Sequence, residues 1–160
     1  MSDPTGRALL ILGLPLLAAI VAAFFSHGIL QKAAHWPLVA ACAAAAGLAI
    51  GLLFQVAESP GHQFVSDAVT WFAAGKLAVN FTITVDPLSA IMLAMVTFIS
   101  LWIAFFSSGY MHGDRGYGRF FAVMSLFVFN MCGLVLANNF LLLLAFWEGV
   151  GLCSYVLAAY

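Results

Sequence analysis

Long apolar runs separated by short polar stretches make up most of the chain. A membrane-spanning helix needs about 20 mostly apolar residues, and segments of this kind lie at roughly 7–26, 37–57, 87–107, 119–137 and 139–160. The pattern therefore predicts an all-α transmembrane fold with about five spanning helices. A cleaved secretory signal is the alternative for the first run. Its 18 apolar residues exceed the usual signal core of about 7–15, so we interpret it as a retained helix.

The segment 58–86 is more polar than its surroundings, with Glu58, Asp67 and Lys76 among its charged residues. Apolar and polar residues alternate in its second half, and this period of two indicates a strand. We expect residues 69–72 to pair with that strand across 73–76 as a short β-hairpin. Unpaired strand edges are not tolerated in lipid, so the hairpin is predicted to be extramembrane.

Local signals place several helix ends. Asp86-Pro87 predicts the N-cap and first turn of the third helix. Glycines scattered from Ser107 to Gly118 predict a loop over that whole range, and Asn138-Asn139 predicts a tight turn between the fourth and fifth spans.

The predicted elements divide the chain into three regions. Residues 1–64 hold two helices and the start of the loop after them, 65–86 hold the β-hairpin, and 87–160 hold helices three to five. Basic residues favour the cytoplasmic side of a membrane. Lys32, Arg115 and Arg119 fall on one side and Arg7 and Lys76 on the other, which predicts an outside N-terminus and hairpin and an inside C-terminal end.

Composition agrees with a membrane protein. Residues are 65% hydrophobic and 7% charged, with mean hydropathy +1.11, whereas soluble domains carry about 25% charged residues. The net charge of −1 argues against nucleic acid as a partner and leaves the lipid bilayer as the expected surroundings. Cys42, Cys132 and Cys153 lie in apolar runs without metal or redox spacing, which favours small buried side chains.

Glu148 is the one acidic or basic residue well inside a predicted span. It lies nine residues after Asn139, about 13 Å along a helix, and therefore near the middle of the hydrocarbon. An acidic residue there costs about 2.5–3.5 kcal/mol on insertion scales. A carboxyl group can bind and release a proton, so Glu148 is a candidate for proton translocation.

Two other interpretations of Glu148 stay open: a permanently protonated structural glutamate, and a side chain that faces lipid without a role. Small residues at Gly149, Gly151, Cys153 and Ser154 would let water or another helix approach its carboxyl group. Asn130 and Ser154 are candidate polar supports.

Other chemistry has little support in the sequence. The histidines fall in loops or at span ends without metal-ligand spacing, so we expect no metal site. Nucleotide-binding and hydrolase motifs do not occur. No catalytic residue and no bound cofactor are predicted for this chain.

Four stretches in order resemble a known family. They are Val79-Asn-Phe-Thr-Ile-Thr-Val-Asp-Pro-Leu-Ser-Ala90, Ser108-Gly-Tyr-Met-His-Gly-Asp114 leading to Arg119-Phe-Phe121, Ala137-Asn-Asn139, and Phe146-Trp-Glu-Gly-Val-Gly-Leu-Cys-Ser-Tyr155. Together they look like the N-terminal part of the chain 5 (L-type) antiporter-like subunit of proton-pumping NADH:quinone oxidoreductase, respiratory complex I. The likeness is close over residues 65–160, whereas residues 1–64 agree only as two spans and a loop.

The resemblance implies a proton-translocating membrane subunit whose redox chemistry belongs to other subunits. It implies that Glu148 lies in a polar axis that conducts protons, with a lysine on a later, broken helix as its charge partner. That lysine and the later helices are absent from these residues, so the resemblance predicts a fragment or a truncated gene. The other membrane subunits of the complex are the expected partners, and a bacterial inner membrane is the expected location.

Two further functions stay open. A subunit of a multi-subunit cation/proton antiporter of the Mrp type would carry a similar glutamate on similar helices. A truncated structural membrane protein would have no transport of its own.

Overall fold

The five predicted spans are present as helices. The computed structural model describes residues 4–25, 33–59, 63–66, 69–74, 77–114 and 116–159, and five helices within these ranges are long and apolar enough to cross a membrane. The helices are α1 (Pro4–Phe25), α2 (His35–Ala57), α3 (Pro87–Tyr110), α4 (Tyr117–Leu136) and α5 (Phe140–Ala158). The strands are β1 (Phe64–Val65), β2 (Val69–Ala74), β3 (Leu77–Phe81) and β4 (Thr84–Val85).

The helices pack as a bundle with α5 at its edge. Helix α1 packs against α2 and α4, α2 packs against α3, and α5 packs against α4. Leu38, Leu93 and Phe121 lie fully buried in the core. The outer faces are also apolar, with exposed side chains such as Phe54 and Phe106, as expected of helices that face lipid. All three cysteines are buried and free, as predicted.

The predicted β-hairpin is confirmed, with a longer first strand and a shorter second strand than expected. Strand β2 pairs antiparallel with β3 from Val69↔Phe81 to Ala74↔Leu77. Strand β4, expected to continue the hairpin, pairs instead with β1. Ile83 and Val85 are buried in the helical core, and this burial directs the end of the segment away from β2. Ser66 fixes the new pairing, because its backbone N–H and its hydroxyl oxygen both bond to the Ile83 backbone at 3.0 Å.

Helix α3 starts as the Asp86-Pro87 signal predicts. The Asp86 carboxylate accepts from the Ser89 backbone N–H at 2.7 Å, and the Ser89 hydroxyl accepts from the Asp86 backbone N–H at 2.8 Å. These two bonds form a capping box, which satisfies otherwise unpaired backbone donors at the helix start.

Replacement of Asp86 by alanine should weaken this start. Loss of an N-cap acceptor costs about 1 kcal/mol, so we expect Asp86→Ala to lower the thermal unfolding temperature of the detergent-solubilised protein. Asp86→Asn retains an acceptor oxygen and should unfold close to the wild-type temperature. An alanine variant as stable as the asparagine variant would contradict the capping role.

The loop before α4 is shorter than predicted. Helix α3 continues to Tyr110 and α4 begins at Tyr117, so the prediction of a loop from Ser107 to Gly118 is wrong at both ends. Glycine breaks a helix only where the backbone leaves the helical region. Among the described glycines, Gly113 is the one with a positive φ, at 92°.

Candidate functional site

Helix α5, which carries Glu148, begins at a firmly held turn. The Asn139 side-chain oxygen accepts from the Leu142 backbone N–H at 2.8 Å, which caps the helix. The Asn139 side-chain N–H donates to the Asn80 carbonyl oxygen of β3 at 2.7 Å. The tight turn predicted at Asn138-Asn139 is therefore present, and it is tied to the hairpin.

Glu148 points away from the bundle. Leu142, Phe146 and Cys153 are the buried residues of α5, and this buried face lies against α4. Glu148 and its neighbour Trp147 are exposed on the other side of the helix. Within the described residues, the Glu148 carboxylate has no hydrogen-bond or ion-pair partner. The carboxyl group is therefore available to a group beyond these five helices.

Asn130 lies directly behind the Glu148 segment. It is 8% exposed, and its side-chain N–H donates to the Leu126 carbonyl oxygen at 2.9 Å and approaches the Cys153 sulfur at 3.8 Å. A Cβ added to Gly149 would lie 2.7 Å from the Asn130 side-chain carbon Cγ. The amide is thus packed against the α5 backbone next to Glu148, a contact that requires glycine at position 149.

A second glycine contact holds the same two helices together. A Cβ added to Gly133 of α4 would lie 2.6 Å from Cδ1 of Phe146, so the phenyl ring occupies the space above that glycine. Phe146 also makes an edge-on contact with Phe129, with ring centroids 5.7 Å apart. Close approach at glycine is a common way for membrane helices to pack.

Ser154 lies elsewhere on the helix. It is exposed and stands six residues after Glu148, a rotation of about 240° around a helix of 3.6 residues per turn. The structure therefore brings Asn130, but not Ser154, to the segment around Glu148. The small residues near Glu148 are also divided between two faces: Gly149 meets Asn130, whereas an added Cβ on Gly151 would meet nothing within 4 Å.

A polar pair at the end of the bundle opposite the Asn138-Asn139 turn was not predicted from the sequence. The Tyr117 hydroxyl lies 2.8 Å from the His35 ring nitrogen Nδ1 and donates to the Ser108 carbonyl oxygen at 3.4 Å. His35 and Tyr117 lie 82 positions apart in the chain, so no spacing signal could have paired them. The contact joins the starts of α2 and α4 to the end of α3.

Comparisons with known proteins identify a family that this chain resembles. The family model described as NADH-Ubiquinone oxidoreductase (complex I), chain 5 N-terminus, matches residues 71–121. An NADH-quinone oxidoreductase subunit L from Neisseria meningitidis serogroup B is 35% identical over 100% of this chain. The resemblance to the N-terminal part of a complex I chain 5 (L-type) subunit is thereby confirmed. The subunit L of Escherichia coli is 45% identical over 62% of this chain.

The chain spans about a quarter or less of the length of these relatives. It covers 24% of the Neisseria protein and 16% of the Escherichia coli protein. A solved Mrp complex from Dietzia sp. contains a chain with the same fold, at a TM-score of 0.70 and 28% identity. That alignment covers 95% of this chain and 15% of the Dietzia chain. The relatives are thus subunits of multi-subunit membrane complexes.

Proposed function

We propose that this chain is the N-terminal part of a proton-translocating membrane subunit of NADH:quinone oxidoreductase and that Glu148 takes up and releases protons. The observation that carries the proposal is the placement of Glu148: mid-span on α5, exposed on the outer face, and backed by a buried amide. The names of the relatives support the choice of complex.

The cost of a mid-span carboxylate supports a functional role for Glu148. A charge there costs about 2.5–3.5 kcal/mol on insertion scales, and no described residue offsets this cost with a hydrogen bond or an ion pair. A group outside these residues would supply the compensating contact. A cationic side chain on a further helix fits best, since it would stabilise the carboxylate when near and favour protonation when distant.

Asn130 would support Glu148 indirectly. Its amide fills the space above Gly149 and holds the α5 backbone at a fixed distance from α4. It would thereby set the position of the adjacent Glu148. The Ser154 hydroxyl lies about two turns further along α5 and would serve water or another helix on a separate face.

The proposed subunit would bind no redox cofactor itself. Oxidation of NADH and reduction of quinone would take place in other subunits, and this chain would couple to them through its membrane contacts. The N-terminus and the hairpin would face the outside of a bacterial inner membrane and the C-terminal end the inside, in accord with the distribution of basic residues.

A second function is favoured by the Dietzia structure. The same five-helix arrangement occurs in an Mrp complex, so a cation/proton antiporter subunit would use the same Glu148 geometry. In that case an ion gradient, and not NADH oxidation, would drive proton movement.

Inside-out membrane vesicles separate the two functions. Vesicles that contain the chain in its full complex are given NADH, and internal acidification is followed with a pH-sensitive dye. We expect NADH to acidify the vesicles and a quinone-site inhibitor to stop it. Proton movement that is independent of NADH but driven by an imposed sodium gradient would support the antiporter. If deletion of the chain changes neither NADH-driven nor sodium-driven proton movement, both proposed functions are contradicted.

A further inference from the structure

The segment from Asn80 to Ile83 is joined to the start of α5 by two contacts. Ile83 pairs with Ala137 as an isolated antiparallel bridge, in which the Asn138 backbone N–H donates to the Thr82 carbonyl oxygen at 3.3 Å. The second contact is the 2.7 Å bond from the Asn139 side chain to the Asn80 carbonyl oxygen. The hairpin segment therefore packs against and hydrogen-bonds to the turn that precedes α5.

Asn139 uses both ends of its amide. The oxygen caps α5 through the Leu142 backbone N–H, and the nitrogen donates to Asn80. Serine and aspartate are about equally favourable caps. An ionised aspartate, however, has acceptors only, whereas asparagine carries an acceptor and two donors. The second bond therefore gives a reason for asparagine in particular at this cap.

Helix α5 depends on this attachment more than the other helices do. Among the described helices, α5 makes extensive contact with α4 alone. Two contacts fix it on that side, Gly133 with Phe146 and Gly149 with Asn130. A helix that rests on a single neighbour can roll about that line of contact, and a hydrogen bond at one end opposes the roll.

We propose that Asn139 is a positioning residue for Glu148: by tying the cap of α5 to the β3 strand, it sets the rotation of the helix and so the direction in which the carboxyl group points. Glu148 lies nine residues beyond Asn139, about two and a half helical turns. A rotation of α5 about its axis at the turn therefore also rotates the Glu148 side chain. The importance of the Glu148 direction for proton translocation rests on the proposed function. The positioning of α5 by the hydrogen bond from Asn139 to Asn80 does not.

Three variants separate the tie from the cap. Asn139→Ala removes both bonds. Asn139→Asp keeps the cap acceptor and places a negative charge at a helix start, where it is favourable, but an ionised carboxylate cannot donate to the Asn80 carbonyl oxygen. Asn138→Ala is the matched control, because Asn138 is exposed and contacts Thr82 through its backbone N–H, which alanine retains.

The variants are made in the full-length chain within its membrane complex, at about pH 7.5, well above the ordinary aspartate pKa of about 3.9. The first readout is the rate at which a hydrophobic carbodiimide labels Glu148, followed by mass spectrometry of the peptide. The second is thermal unfolding of the purified complex. Labelling reports the accessibility of the carboxyl group from the membrane and requires no pumping.

We expect Asn139→Asp to label Glu148 about threefold faster than wild type, in proportion to the loss of one neutral hydrogen bond. Asn139→Ala, which loses both bonds, should label Glu148 at least as fast as Asn139→Asp does. The aspartate variant should unfold near the wild-type temperature, and Asn138→Ala should match wild type in both measurements. A wild-type labelling rate in Asn139→Asp would overturn the proposal, because Asn139 would then act only as a helix cap. If Glu148→Gln leaves proton translocation intact, the proposed function fails, while the labelling rates still decide the role of Asn139.

Discussion

We expect Gly149→Ala to loosen α5 from α4 and to lower both the stability of the protein and the yield of assembled complex. The added Cβ would lie 2.7 Å from Cγ of Asn130, well inside the sum of the van der Waals radii. Asn130 is buried and bonded to the Leu126 carbonyl oxygen, so it cannot move aside without losing that bond. Overpacking of this kind costs about 1–3 kcal/mol.

Gly151→Ala is the matched control for this substitution. It makes the same chemical change two residues further along α5, where an added Cβ would meet nothing within 4 Å. Alanine is favoured over glycine in a helix by about 1 kcal/mol, so this variant should be at least as stable as wild type. Thermal unfolding in detergent compares the two, and equal effects at both positions would contradict the close contact between α4 and α5.

Substitution of Glu148 by glutamine should have the largest effect on transport. Glutamine keeps the shape and polarity of the side chain but cannot exchange a proton, and the exposed position leaves room for it without repacking. We expect the complex to assemble and to oxidise NADH, whereas proton uptake by vesicles falls by about tenfold or more, as for loss of an acid–base group. Native electrophoresis and dye-based uptake measure the two properties separately.

The rival roles of Glu148 predict different results for the same variant. A structural glutamate would leave transport intact but reduce assembly or stability when replaced. A lipid-facing glutamate without a role would become more stable as glutamine, because the cost of the charge disappears. Reduced transport in a fully assembled complex is the outcome that neither rival predicts.

The sequence was sufficient for the helices and the hairpin because their signals are local. Apolar length defines each span, alternation from Leu77 onward marks the second strand of the hairpin, and the Asp86-Pro87 pair marks a helix start. Asn138-Asn139 likewise marks a turn through residue types alone. Each of these features depends on neighbours within a few positions of the chain.

Features that depend on distant contacts could not be predicted. Strand β1 is only two residues long, too short for a periodic signal, and its pairing with β4 follows from the burial of Ile83 and Val85. The His35–Tyr117 contact joins two helix starts that only the folded bundle brings together. The loop before α4 was overestimated because glycine count does not reveal backbone conformation, and only Gly113 among the described glycines has a positive φ.

The candidate site likewise has features that the sequence predicts and features that depend on tertiary contacts. The depth of Glu148 follows from counting residues after Asn139, but the direction of its side chain depends on which face of α5 packs against α4. Gly149 and Gly151 look equivalent in the sequence, and the structure places one against Asn130 and the other in open space. A helix rotation is set by tertiary packing, and composition alone does not encode it.

The ratio of protons translocated to electrons transferred tests the central role of Glu148 most directly. It is measured in sealed vesicles for wild type, Glu148→Gln and Glu58→Gln, the last a matched control because Glu58 is exposed at the end of α2. We predict a normal ratio for wild type and Glu58→Gln and a sharply lower ratio for Glu148→Gln at an unchanged amount of assembled complex. A normal ratio in assembled Glu148→Gln would contradict a proton-carrying role for this residue.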